Sequence, residues 1–333
     1  MSKAYLKTYF TVLLSIFFLV GVINLTVDPL WYLSGNHLTG VNLPWNERIM
    51  KTNLLLQEPK DQYDCLLFGT SRSTLFDTAL LTNHQCFNYA FSAGDPEEFV
   101  NYAEYAKAEG VNPVQVYVEI DPKDLRERRG TKHYAEVNDP LPVYQAYLFS
   151  FDVLRLSIDT LIAEDAFKRV YDRHFRGRVD EDAPDYKPEF EPEEQKSCDL
   201  SRIRPFEALK QTFPDAKIVG FVAPLSAWYV YNTRYSPGLL DCQLEGIYRI
   251  SQRFDAVYDF SVPSPTTIRT DNTYDGHHYY PSVYETVAAV LEKRRSDFGM
   301  HVNEYSLSHY REQYLTKLQN FLQQAGEGER WRG

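Results

Sequence analysis

The chain is poor in positive charge and in cysteine, and each deficit argues against a class of function. Its 333 residues carry 35 Lys and Arg against 46 Asp and Glu, which gives a formal net charge of −11. No cluster of basic residues reverses that sign locally, so a DNA- or RNA-binding role is disfavoured. The four cysteines include no CxxC pair and no Cys/His spacing typical of a zinc site.

The even number of cysteines leaves two alternatives open. In an exported domain they can form two disulfides, with each cysteine paired to its neighbour in sequence, Cys65 to Cys86 and Cys198 to Cys242. The other alternative is four buried thiols.

One long uncharged segment lies near the N-terminus, from Thr8 to Val27. Its 20 residues are about the length that crosses a bilayer core as a helix. Lys3 and Lys7 precede it and Asp28 follows it, which predicts a cytoplasmic tail at 1–7 and places the rest of the chain outside. A cleaved signal peptide would have a shorter apolar run followed by a small-x-small site, and none is present. A core helix is disfavoured because the run is apolar on all faces.

Beyond a connector predicted at 28–60, short apolar runs alternate with helical patterns. Strands are predicted at 63–68, 86–91, 114–120, 216–222 and 256–260. Helices are predicted at 74–82, from Asp95 or Pro96 onward, and at 201–213, 239–254, 281–296 and 303–325. This alternation predicts an α/β domain at 61–300, with a parallel sheet covered on both faces and a ligand site beyond the carboxyl ends of its strands. A charged, partly helical insertion interrupts the domain at about 125–200, and a helix and tail follow at 301–333.

Two motifs carry candidate chemistry. Ser71 follows the first predicted strand in Gly69-Thr70-Ser71, where a serine can present its hydroxyl at the top of the sheet. A plain helix N-cap is the alternative, and a phosphate-binding loop would need more Gly and a Lys.

The second motif is an Asp-x-x-His sequence just before the last helix of the predicted domain. Asp275, three residues before His278, can hold that imidazole in the tautomer that accepts a serine proton. His277 remains an alternative base. A solvated loop and a metal site formed by Asp275, His277 and His278 are further interpretations.

Together these motifs resemble the SGNH (GDSL-like) hydrolases, over about 63–122 and 214–295. The resemblance implies a flavodoxin-like, doubly wound parallel sheet, with Ser71 as nucleophile, His278 as base and Asp275 orienting it. The arginine after the serine, Arg72, is similar to the membrane-anchored branch that accompanies bacterial cell-surface polysaccharide systems. The alginate acetylation proteins and the D-alanyl transfer protein of teichoic acids are similar in outline.

The chain departs from that family at the groups that stabilise an oxyanion. The second family block aligns Ala93 or Gly94 with a glycine whose amide donates to the oxyanion. The third block normally supplies an Asn, but here Asp121 stands there, and an ionised Asp cannot donate a hydrogen bond. Arg72 is a candidate substitute donor, with a surface salt bridge as its alternative. Trp228 either stacks on a sugar or packs in the fold.

The resemblance implies a serine-dependent esterase or O-acyltransferase that moves a small acyl group on or off a cell-envelope glycan without a cofactor. The partners expected are an envelope polysaccharide or other acylated glycan and a membrane-bound acyl donor protein. The protein would lie in the bacterial inner (cytoplasmic) membrane, crossing it once, with its catalytic domain on the periplasmic or extracellular side. A catalytically weak glycan-binding or scaffold protein is the alternative.

Overall fold

The computed structural model describes residues 3–59, 61–127, 142–162, 169–172, 175–179, 186–189, 197–235, 238–293 and 297–325. The chain divides into two compact units. One comprises Met1–Pro59 with Asn138–Asp180, and the other Lys60–Val137 with Glu181–Gly333. The insertion predicted at about 125–200 is therefore shared between the two units, because its middle section folds with the N-terminal part of the chain.

Ten α-helices and eight strands occur in the described residues. The strands are β1 (Cys65–Phe68), β2 (Cys86–Asn88), β3 (Gln115–Glu119), β4 (Arg169–Tyr171), β5 (Gly177–Val179), β6 (Lys217–Val222), β7 (Ala256–Asp259) and β8 (Met300–His301). The helices are α1 (Lys3–Val27), α2 (Glu47–Gln57), α3 (Pro96–Ala108), α4 (Val143–Tyr147), α5 (Phe151–Leu161), α6 (Arg204–Thr212), α7 (Ala227–Tyr235), α8 (Leu240–Ser251), α9 (Pro281–Leu291) and α10 (Leu307–Gln324).

The second unit is mixed α/β, built on a six-stranded sheet in the order β2-β1-β3-β6-β7-β8. Its first five strands are parallel, and β8 runs antiparallel to β7. All five predicted strands are confirmed. Every residue of β1, β3 and β7 is buried, as expected for parallel strands with both faces covered.

One predicted helix is wrong. The stretch at 74–82 forms two short 3₁₀ turns, Ser73–Leu75 and Thr78–Leu80, separated by extended backbone. The Asp77 carboxylate accepts a hydrogen bond from the Ala79 amide at 3.0 Å, and this local bond competes with continuation of a helix.

Both disulfides pair cysteines that are neighbours in sequence, so the disulfide alternative is confirmed. Cys65–Cys86 joins β1 to β2 at residues that are directly paired in the sheet. Cys198–Cys242 joins the segment before α6 to α8.

Replacing Cys65 and Cys86 together with Ala should lower the free energy of unfolding by about 3 kcal/mol, because the bridge restricts the unfolded chain. Urea unfolding of the full chain in detergent measures the change. As a control, a thiol assay on the denatured, unreduced wild type should detect no free cysteine. An unchanged unfolding midpoint in the double variant would contradict the prediction.

The first unit contains α1, which has a mean hydropathy of 2.4 over its most apolar window and is long and apolar enough to cross a membrane. The segment at 28–60, predicted as a connector, contains α2, which begins where the Asn46 side chain accepts from the Ile49 amide. Within the insertion predicted at about 125–200, the described residues include α4, α5 and the antiparallel pair β4–β5.

Candidate active site

The carboxyl end of β1 and the loop before α9 bring the two predicted motifs together. The Ser71 Oγ lies 2.7 Å from the His278 Nε2. On the other side of the same ring, the His278 Nδ1 lies 2.6 Å from an oxygen of Asp275. These contacts form a continuous Ser–His–Asp relay, with the imidazole placed to accept the serine proton.

Asp275 is positioned by its own loop as well as by the imidazole. Its second oxygen accepts hydrogen bonds from the backbone amides of His277 at 3.0 Å and His278 at 2.7 Å. Burial alone would raise the pKa of Asp275, but the hydrogen bond and charge of His278 outweigh it and lower the pKa to about 2. Asp275 is therefore ionised at neutral pH, the state that orients an imidazole and stabilises its charged form.

His278, and not its neighbour, faces the serine. Burial lowers the pKa of His277 to about 4 despite the nearby Asp275 charge, so that ring is neutral at pH 7. Its Nε2 lies 3.5 Å from an Asp275 oxygen, and its ring centroid lies 5.6 Å from that of Tyr229.

Asp275, His277 and His278 also satisfy the coarse geometry of a metal site. Each offers one ligand atom, and these atoms lie within 4.8 Å of one another. The Asp275–His278 hydrogen bond occupies donor and acceptor atoms that a metal would need, so the relay and a metal site are competing uses of the same side chains.

Glu119, at the end of β3, holds the loop that carries the nucleophile. It is completely buried and accepts hydrogen bonds from the Thr70 amide at 2.8 Å, the Thr70 hydroxyl at 2.8 Å and the Ser73 hydroxyl at 2.5 Å. These bonds tie down both sides of Ser71. The sequence signal for this role is an acidic residue ending a strand that is otherwise buried, since a buried carboxylate needs partners.

Arg72 does not form the surface salt bridge that was one of its two interpretations. Only 3% of its side chain is exposed, and its guanidinium lies 2.7 Å from a Glu119 oxygen and 2.6 Å from an Asp121 oxygen. Burial raises the pKa of Asp121, but the charge of Arg72 outweighs it and holds the pKa below its usual value. Asp121 is therefore an ionised acceptor, and it cannot donate a hydrogen bond to an oxyanion.

The structure distinguishes the two second-block candidates. The Gly94 amide donates to the Phe91 carbonyl at 3.0 Å, so the turn already uses that donor. Ala93 is exposed and has a φ of 52°, which is uncommon for a residue with a Cβ. Among the described residues, no hydrogen bond engages the Ala93 amide. Ala93 is therefore the stronger candidate to donate to an oxyanion.

Trp228 lies on α7 and packs against another helix. Its ring is half-buried and meets the Phe321 ring of α10 edge to face, with the centroids 4.8 Å apart. This contact favours the packing interpretation over a sugar platform.

Tyr186 borders the site although nothing in the sequence marked it. It lies in an acidic stretch of the predicted insertion, and its amide donates to the Thr270 carbonyl at 2.9 Å. A Cβ on Gly276, whose φ is 82°, would lie 2.6 Å from the Tyr186 ring, so glycine permits this close approach. Burial and the charge of Asp275 raise the pKa of Tyr186 to about 12, so it stays protonated.

A mainly apolar pocket, partly open to solvent, lies beside these residues. It adjoins the site through Asp121, which pairs with Arg72, and Tyr229, which contacts His277. The rest of its lining comes from Pro122, Lys123, Leu225, Val230, Thr233, Leu240, Gln243, Leu244, Ile247, Ser261 and Tyr314.

No protein-family model matches the chain, and a search of the curated proteins finds none with significant similarity. Any functional assignment therefore depends on the geometry of the site.

Proposed function

We propose that the protein is a serine-dependent acyl esterase or O-acyltransferase of the SGNH type. The observation that carries the proposal is the relay in which the Ser71 hydroxyl contacts His278 and His278 contacts the ionised Asp275. A serine is a weak nucleophile unless a base takes its proton, and a third group that orients the base is the hallmark of an activated serine.

The sheet supports the same proposal. Counted alone, the five parallel strands have the order 2-1-3-4-5, which is the flavodoxin-like doubly wound order. Ser71 follows the first of these strands, and Asp275 and His278 follow the last. In such sheets ligands bind beyond the carboxyl ends of the strands, which is where the relay lies.

In the proposed reaction, the Ser71 oxygen attacks the carbonyl carbon of an acyl ester while His278 accepts the hydroxyl proton. The oxyanion that forms accepts a hydrogen bond from the Ala93 amide. His278 then gives the proton to the departing alkoxide as the ester C–O bond breaks. The acyl group remains bound to the Ser71 oxygen. Water or a sugar hydroxyl, activated by His278, takes that acyl group, so hydrolysis and transfer share one intermediate.

We further propose that α1 anchors the protein in the bacterial cytoplasmic membrane as a single span, with the α/β unit on the outer side. Lys3 and Lys7 precede the apolar run, which favours a cytoplasmic N-terminus. An enzyme held there meets envelope glycans as acyl acceptors or donors, and a membrane-bound protein as a source of acyl groups.

One observation favours a second candidate, a glycan-binding or scaffold protein with weak or no turnover. Ionised Asp121 stands where the family has an oxyanion-donating Asn, and Arg72 is directed at two carboxylates. Losing one oxyanion donor lowers the rate by roughly 10²–10³-fold.

A fluorophosphonate probe distinguishes these candidates, because it reacts covalently with activated serines. The full chain in detergent should be labelled, and Ser71→Ala should lose the label because the phosphonylated oxygen is removed. Ser308→Ala, which changes an exposed serine on α10, should be labelled like the wild type. An unlabelled wild type that unfolds cooperatively would contradict the esterase assignment and favour the binding protein.

A further inference from the structure

The turn between α4 and α5 packs against the C-terminal half of α1 within the first unit. A Cβ added at Gly21 would lie 2.7 Å from the Leu148 Cδ2 and 3.5 Å from its Cα, so the glycine lets the turn approach α1 closely. The Phe17 ring lies 5.2 Å from the Phe149 ring and 6.2 Å from the Phe151 ring, centroid to centroid.

These contacts define the depth of the turn along α1. With a rise of about 1.5 Å per residue, Gly21 lies about 9 Å and Phe17 about 15 Å from the end of α1 at Val27. The apolar run at 8–27 is about as long as the 30 Å hydrocarbon core is thick. When α1 spans the membrane, Gly21 therefore lies within the outer leaflet and Phe17 near the bilayer centre, so the turn residues that contact them lie among the acyl chains.

The surface around the turn is apolar and exposed. Phe149 is 59% and Phe151 is 54% exposed, and both adjoin α1, whose Phe18 is 74% exposed. On α5, Ile158 continues the stripe that starts at Phe151, because residues seven apart share a helix face, and Ile162, the C-cap of α5, is also exposed. Large exposed apolar side chains in one continuous patch mark a contact with a partner or a membrane.

Two carbonyl groups at the turn, those of Tyr147 and Ser150, have hydrogen-bond partners inside the unit. The Asn24 side chain donates to the Tyr147 carbonyl at 2.9 Å and to the Ser150 carbonyl at 3.1 Å. The Ser157 hydroxyl in turn donates to the Asn24 oxygen at 2.9 Å. Hydrocarbon provides no hydrogen bonds, so a turn that enters it needs such internal partners.

One charge of α5 lies within the apolar stripe, because Arg155 is four residues after Phe151 and three before Ile158. Asp152 and Asp159 are seven residues apart and share the adjacent face, and the Arg155 guanidinium lies 3.8 Å from Asp159. Arg155 is 85% exposed, and its long side chain can extend toward the headgroups while its stem covers apolar surface. The Arg155 guanidinium can therefore reach the headgroups while Phe151 and Ile158 on the same face contact acyl chains.

We propose that the α4–α5 hairpin is a second membrane contact, with its turn immersed in the acyl chains of the outer leaflet beside α1. The hairpin comes from the middle of the sequence, so it fixes the first unit to the membrane at two points. The inference goes beyond the proposed enzymatic activity, and it requires only that α1 spans the bilayer.

Site-directed spin labelling tests the proposal in the full chain, in vesicles of phosphatidylcholine and phosphatidylglycerol. All four native cysteines are in disulfides, so one introduced cysteine takes the label. Phe149→Cys is the main variant, and Phe151→Cys serves as a second position if the first disturbs folding. Phe18→Cys on α1 is the lipid reference, and Val114→Cys, exposed in the other unit, is the aqueous reference.

For the label at Phe149→Cys, the ratio of oxygen accessibility to nickel-complex accessibility should match the ratio at Phe18→Cys. It should exceed the ratio at Val114→Cys several-fold, because oxygen concentrates in hydrocarbon. A ratio like that of Val114→Cys would overturn the proposal, and so would exclusion of both reagents, which indicates cover by protein. An aqueous signal from Phe18→Cys would refute the anchor and the hairpin insertion together, whereas fluorophosphonate labelling would still report on the proposed chemistry.

Discussion

Changing Asp275 to Asn should lower kcat/KM for p-nitrophenyl acetate by about 10⁴-fold, the loss found when the Asp of a serine-protease triad is replaced in this way. In the wild type an Asp275 oxygen lies 2.6 Å from the His278 Nδ1. The Asn side chain has the same shape but can donate a hydrogen bond to Nδ1, which favours the tautomer with its proton on Nε2. That tautomer cannot accept the serine proton. The Asn side chain also carries no charge to stabilise the imidazolium. Steady-state kinetics of the full chain in detergent measures the change.

His277→Gln is the matched control for this variant. The neighbouring ring has a pKa of about 4 and does not face Ser71, so its loss should change kcat/KM little and leave the pH profile between pH 5 and 8 unaltered. The pKa of Asp275 is about 2, so the defect of Asp275→Asn should persist across the same range. If kcat/KM falls further in His277→Gln than in Asp275→Asn, His277 is the base and the assignment of His278 is wrong.

Replacing Glu119 with Ala should lower the free energy of unfolding by about 3–5 kcal/mol, the range for removing one partner of a buried ion pair. The change removes an acceptor from Thr70 and Ser73 and leaves Arg72, which is 3% exposed, with Asp121 as its remaining carboxylate partner in the site. Urea unfolding monitored by tryptophan fluorescence measures the loss.

Glu97→Ala provides the comparison at the surface. Glu97 pairs with Arg202 at 2.8 Å but is 47% exposed, and exposed ion pairs contribute at most about 1 kcal/mol. The prediction fails when the two variants unfold at the same urea concentration. If only Glu119→Ala lowers the free energy of unfolding, the result supports the role of Glu119 in holding the loop that carries Ser71.

Much of the local structure follows from the sequence because its causes are local. The short buried strands are continuous apolar runs, and α1 is a long uncharged run with lysines before it. Asp275 and His278 are three residues apart, so one turn suffices to bring the carboxylate to the imidazole. The 3₁₀ turns after β1 do not follow from the sequence pattern, and the hydrogen bond from the Ala79 amide to the Asp77 carboxylate favours them over a continuous helix.

Tertiary structure alone decided the contacts between distant parts of the chain. Ser71 and His278 are 207 residues apart, and they meet because parallel strands bring their carboxyl ends to one edge of the sheet. The burial of Arg72 between Glu119 and Asp121 depends on the pairing of β1 with β3. The packing of the α4–α5 turn on α1 likewise joins segments more than a hundred residues apart, through a glycine and an asparagine that no local pattern marks. Sequence periodicity shows which face of an element is apolar. Which segment packs against that face depends on contacts between residues that are far apart in sequence.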